Sequence, residues 1–150
     1  DRMLSEGHVV GFHSMDHQNA MVRGYLHTRK DFRTGSEFMK RKGISDIWYR
    51  PPWGLTNLFS WHFVRKYGMK MVLWDVMAED WERGATAGSI RKKCLSRVKD
   101  GSILCLHDGG RRTGGAPGAP EKTLEALTYV IPALKEAGYR FILPSEAVFR

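Results

Sequence analysis

Two histidines four residues apart, His13 and His17, stand directly after the apolar run 8–12. On a helix or a helix-like turn, positions i and i+4 share one face, with Cβ atoms about 5–6 Å apart. Two neutral imidazoles at that distance can share a zinc, iron or nickel ion. An isolated pair of this spacing is more often two unrelated histidines than a metal site. Its weight comes from three further stretches: Arg50-Pro51-Pro52-Trp53-Gly54, Asp80-Trp81 and Cys105-Leu106-His107. Histidine titrates close to neutrality and can hold and release a proton in a reaction. A carboxylate such as Asp80 can orient such a histidine and favour its imidazolium form. Tryptophans beside these groups can serve as apolar walls.

These residues need a frame that brings the ends of separate segments together. Short apolar runs at 8–12, 47–49, 70–74, 103–106 and 140–143 read as strands. Amphipathic stretches at 29–42, 57–67, 86–98 and 121–137 read as helices. Residues 1–7 resemble the last turns of a helix closed by Gly7. Asn57 is placed to cap the second of the four helices, and Thr86 or Ser89 the third. Gly35 weakens the first by about 1 kcal/mol relative to alanine, and Pro132 is expected to kink the last. The segments 13–28, 75–85 and 109–120 read as loops. The alternation of strand and helix argues for a parallel α/β sheet of five strands with covering helices. In such a sheet the loops after the strands lie on one face. Four of those loops would then carry His13 and His17, Arg50 with Trp53, Asp80 with Trp81, and His107. Ile103 and Cys105 alternate along a strand with His107 and should face the same way.

Composition narrows the class. A chain of 150 residues with 42% apolar and 27% charged residues suits one globular domain. No run approaches 18 apolar residues, so no helix should span a membrane. The net charge of +8 attracts polyanions such as nucleic acid, an anionic cell wall or acidic lipid. The cations are spread over 29–42, 65–70, 91–99 and 111–112, mostly on expected helices, which fits a solvated basic surface better than a specific nucleic-acid site. Cys94 and Cys105 are read as free, buried thiols.

Taken in order, the motifs resemble those of the polysaccharide deacetylases, carbohydrate esterase family 4, with the NodB homology domain. His13-Ser14-Met15-Asp16-His17 is similar to that family's H-[ST]-x-x-H. Arg50 to Gly54 is similar to its R-P-P-[YW]-G, Asp80-Trp81 to its D-W, and Cys105-Leu106-His107 to its L-x-H. The resemblance implies a distorted (β/α) barrel and hydrolysis of N-acetyl groups on N-acetylglucosamine units of peptidoglycan, chitin or a related glycan. His13 and His17 would ligate a divalent metal, Zn²⁺ foremost, with Co²⁺, Ni²⁺ or Fe²⁺ as alternatives. His107 would be the general acid and Asp80 its partner, while Arg50 would pair with a base aspartate. Trp53 and Trp81 would wall the sugar site. Ile103 and Cys105 would line the pocket for the acetyl methyl, Cys105 standing where the family usually has leucine.

The family's T-F-D-D-G motif, source of the third metal ligand and the base, does not occur in residues 1–150. The expectation is therefore a domain that lacks its opening strand unit here, is inactive alone, and associates with itself or with the missing segment. No export signal is visible in this sequence, although the glycan substrates imply action outside the cell membrane. Alternatives are a formyl or cyclic-amide hydrolase on the same scaffold, or a glycan- or metal-binding relative that has lost its base. Asp16 and Asp108 are candidates to orient neighbouring histidines, Asp75 receives no role, and His8, His27 and His62 are read as structural.

Overall fold

A computed structural model describes residues 1–109 and 114–146 of the chain. Gly110, Arg111 and Arg112, part of the expected glycine-rich loop and of the basic residues counted above, lie outside the described residues. The chain divides into two compact units, residues 1–73 and residues 74–150.

The first unit contains α1 (Arg2–Ser5), α2 (Tyr25–Arg41), β1 (Trp48–Tyr49), α3 (Leu58–Lys66) and β2 (Lys70–Met71). β1 and β2 pair in parallel, with Trp48 opposite Lys70 and Tyr49 opposite Met71. The expected strand at 8–12 contracts to one parallel bridge, Phe12 to Tyr49. That bridge is held by Phe12 N–H donating to Trp48 O at 2.7 Å and Arg50 N–H donating to Phe12 O at 2.9 Å. Phe12, Phe32, Met39, Ile47, Tyr49, Phe63, Val64 and Met69 form this unit's core. Their rings meet edge-on or tilted, as between Phe12 and Phe32 at 5.6 Å, an arrangement aromatic quadrupoles favour.

α2 begins at Tyr25, four residues before the expected start. Its first turn exposes Tyr25 and Leu26 and its N-cap is Gly24, so neither an apolar stripe nor a capping side chain announces it. Gly35 is not merely a weak point of that helix. A Cβ there would lie 2.3 Å from Cε2 of Phe12, so the missing side chain lets the Phe12 ring pack against α2. α3 starts where Asn57 predicts: the Asn57 carboxamide accepts from Ser60 N–H at 2.9 Å and Ser60 reciprocates, forming a capping box.

The second unit contains β3 (Val76–Met77), α4 (Ala87–Arg97), β4 (Leu104–Cys105) and α5 (Ala119–Glu136). β3 and β4 pair in parallel, Val76 opposite Leu104 and Met77 opposite Cys105. Among the described residues, two parallel pairs stand where a single five-stranded sheet is expected. The run 70–74 keeps only its first two residues as strand, and β3 forms within 75–85, which the sequence suggested was loop. Asp75 explains the resumed ladder. Its carboxylate accepts from Ile103 N–H at 2.7 Å and Ser102 hydroxyl at 3.0 Å, while Val76 N–H donates to Ile103 O. No strand forms at 140–143; the chain there leads into a 3₁₀ turn, Pro144–Glu146, in which Glu146 accepts from Leu143 N–H.

Thr86 is the cap of α4, with Ser89 as its reciprocal partner. α5 runs without interruption across Pro132 and buries Ala119, Thr123, Ala126, Val130 and Leu134 along one face. This face and that of α4 close a core of Ala78, Ala85, Ile90, Cys94, Ala126, Val130 and Leu134. Cys94 and Cys105 are both buried and neither forms a disulfide, as expected.

Candidate active site

In the first unit the residues after Phe12 do not form a helical turn. Ser14 has φ 68° and His17 φ 52°, both left-handed, a conformation uncommon for residues other than glycine. The two imidazoles nevertheless meet, with ring centroids 5.0 Å apart. The turn, not i,i+4 helix geometry, brings them together. Nδ1 of His13 lies 2.6 Å from Arg50 O. A carbonyl only accepts, so Nδ1 carries the proton and the lone pair of the neutral ring falls on Nε2. A second partner that fixes the tautomer in this way is what metal-binding histidines show.

Trp53 packs against the second imidazole, its ring 4.6 Å from that of His17. It too is left-handed, with φ 54°, and it is 56% exposed. Buried Pro51 and Pro52 precede it and leave little freedom in the turn. Arg50 continues β1, and one guanidinium N–H donates to Leu73 O at 3.3 Å. This unit therefore assembles four of the expected residues: His13, His17, Arg50 and Trp53.

The Asp16 carboxylate lies 2.9 Å from His27 Nε2 on α2. Asp31, one turn further along α2, accepts from Met15 N–H at 2.7 Å and from the Ser14 hydroxyl at 3.3 Å. Burial pushes the Asp31 carboxyl above the ordinary carboxylate value; the Met15 N–H pulls the other way without cancelling it. For Asp16 burial acts in the same sense, but the bonds with His27 and Ser14 outweigh it and hold the carboxyl low. Among the described residues no group of three or more His, Cys, Asp or Glu side chains is arranged to hold a metal ion. The His13 and His17 rings, 5.0 Å apart, present two imidazole nitrogens of the kind that a divalent metal takes.

In the second unit His107 follows β4 and Asp80 follows β3. Oδ1 of Asp80 lies 2.8 Å from His107 Nδ1, and Oδ2 accepts from His107 N–H at 2.7 Å and from the Thr123 hydroxyl at 2.9 Å. Asp80 is wholly buried, while 40% of the His107 side chain is exposed. Burial alone would push the Asp80 carboxyl up; the His107 ring, the His107 N–H and Thr123 outweigh it and hold the group below the ordinary carboxylate value. The carboxylate fixes Nδ1 of the ring as donor and leaves Nε2 to exchange a proton. Trp81 stands edge-on to His107 with centroids 4.7 Å apart.

Leu104 and Leu106 pack on the core of α4 and α5, and Cys105 in β4 is buried. Thr123 was not foreseen. It lies 43 residues from Asp80, and a threonine within a helix pattern carries no motif of its own.

The polysaccharide deacetylase family model matches residues 1–72. A peptidoglycan-N-acetylglucosamine deacetylase of Bacillus cereus is 31% identical over 147 residues, covering 97% of this chain and 65% of its own. In sequence and backbone the chain is similar to the polysaccharide deacetylase family. Its backbone resembles the crystal structure of the Bc1960 peptidoglycan N-acetylglucosamine deacetylase, with a TM-score of 0.82 and 28% identity over 95% of this chain and 64% of that one. A family 4 acetyl xylan esterase from Clostridium thermocellum, in complex with a cobalt ion, gives a TM-score of 0.80 and 29% identity over 97% of this chain and 66% of the other. The chain thus spans about two thirds or less of each of these relatives, and its α/β fold is of the NodB type.

Proposed function

We propose that the protein is a metal-dependent hydrolase that removes N-acetyl groups from N-acetylglucosamine units of a polysaccharide, acting outside the cell membrane on peptidoglycan or a similar glycan. The observation that carries this reading is the His107–Asp80 couple. A buried carboxylate with three donors holds an exposed imidazole at the position of the family's L-x-H histidine. The family relatives, named as peptidoglycan deacetylases, support the substrate class. Among the described residues no helix is long and apolar enough to cross a membrane.

His13 and His17 are the residues that would hold a divalent metal, Zn²⁺ first, with Co²⁺, Ni²⁺ or Fe²⁺ also suited to imidazole. A bound metal there supplies Lewis-acid polarisation of the acetyl carbonyl and activation of water. His107, with Nδ1 tied to Asp80, protonates the departing amine through Nε2. Asp80 keeps the tautomer and the orientation of the ring. Trp53 and Trp81 bound the sugar and exclude water from beside the imidazoles they touch. The Trp53 N–H stabilises the oxyanion, and Arg50 pairs with a base carboxylate. Ile103 and Cys105 accept the acetyl methyl. Residues 1–150 hold no D-D pair, so a chain with only these residues should deacetylate poorly.

The test is acetate release from an N-acetylglucosamine oligomer by the intact protein, with metal content measured in parallel for wild type, His13→Ala, His17→Ala and His107→Ala. Loss of metal in the first two, and loss of turnover with metal retained in the third, is expected. Metal content unchanged in both ligand variants would remove the metal assignment.

A further inference from the structure

The turn at 13–17 has a feature the family motif does not account for. Two of its five residues, Ser14 and His17, are left-handed without being glycine. Such residues persist only where their surroundings hold them. The turn is fixed at its start by the Phe12 bridge and the His13–Arg50 contact. Beyond its end, Asn57 donates from its carboxamide to Ala20 O at 2.6 Å and Arg23 O at 3.0 Å. Between these anchors the ties come from α2. Asp31 accepts from Met15 N–H and the Ser14 hydroxyl, and His27 meets Asp16.

Asp31 is well placed to be rigid. It sits between Phe32, buried in the aromatic core, and His27 one turn back, on a helix that packs directly on Phe12. The Met15 N–H, midway between the two histidines, is thereby fixed relative to the strand that carries His13. We propose that Asp31 is a positioning residue for the histidine pair: its carboxylate holds residues 14–16 in the left-handed turn that aims the His13 and His17 rings at one another. The inference rests on the metal reading above for its purpose, but not for its geometry. The Asp16–His27 contact is a second, more exposed tie that assists it.

The experiment uses the intact protein labelled on histidine and compares Asp31→Ala with Asp31→Asn, which keeps an acceptor oxygen for Met15 N–H. In the metal-free protein, the nuclear Overhauser contact between the His13 and His17 rings should vanish in Asp31→Ala and persist in Asp31→Asn. The Met15 amide proton should move upfield only in the former. Co²⁺ affinity should fall about 10–100-fold in Asp31→Ala, the range for residues that support metal ligands, and stay within threefold in Asp31→Asn. Should Asp31→Ala lose amide dispersion altogether, Asp31→Ser takes its place in the same comparison. An inter-ring contact that survives in Asp31→Ala overturns the inference, as does Co²⁺ affinity within threefold of wild type. Failure of the wild type itself to bind Co²⁺ would sink the metal reading, while the ring contact still decides the role of Asp31.

Discussion

Replacing Thr123 with valine isolates one bond to the buried Asp80. The Thr123 hydroxyl has a single proton and two acceptors in reach, Asp80 Oδ2 at 2.9 Å and Ala119 O at 3.1 Å. The charged acceptor binds it more strongly. Valine matches threonine closely in shape, so no cavity opens, and the Ala119 carbonyl keeps its place in the helix. What is lost is one donor to a carboxylate that has no access to water. Bonds to charged groups contribute about 1.5–3 kcal/mol. Two donors from His107 remain, so the lower half of that range applies, about 2 kcal/mol. For a domain of this size that lowers Tm by about 4–8 °C. Urea unfolding of the intact protein, with calorimetry alongside, measures it. Thr128→Val is the control, since the Thr128 hydroxyl bonds only to a carbonyl of its own helix, Glu125 O, at an exposed position; it should change stability by less than about 0.5 kcal/mol. A Thr123→Val protein within that same margin would refute the view that Asp80 depends on donors from α5.

Gly35→Ala should destabilise the protein by about 1–3 kcal/mol despite alanine's better helix propensity, because its Cβ meets the Phe12 ring; denaturant midpoints check this, and a stabilised variant would contradict the packing. Asp16, Asp75, Glu79 and Asp80 are all held below their ordinary values in the fold. Each therefore contributes stability that is present above its unfolded value, about 4, and lost as pH falls through the folded value; Asp31, raised instead, gives stability present below its unfolded value and lost as pH rises through the folded one. With four groups against one, Tm should fall from pH 5 to pH 2, and a flat profile would contradict the sum. His107→Ala should reduce kcat by about 10²–10⁴-fold, the usual range for a general acid, with Trp81 left beside an empty position; unaltered kcat and pH dependence would exclude His107.

The sequence alone determined the local devices and the chemical alphabet. Asn57 and Thr86 cap α3 and α4 because a cap is made by a side chain and a backbone N–H three residues apart, and both partners are visible in one short stretch. The four motifs were legible for the same reason: each keeps its functional residues within five positions. Tertiary structure decided the rest. Phe12 and Tyr49 pair, Asp75 restores a ladder with Ile103, and Thr123 reaches Asp80 across separations of 28 to 43 residues, for which no local pattern exists. The helical periodicity that suggested how His13 and His17 converge was the wrong device; left-handed residues held by α2 do it instead. Gly35 makes the same point in one atom. By propensity it weakens a helix, yet the space left by its absent Cβ is where the Phe12 ring packs, immediately before the first histidine. Propensity acts along the chain, whereas packing depends on which distant side chain arrives, and that is settled only when the core closes.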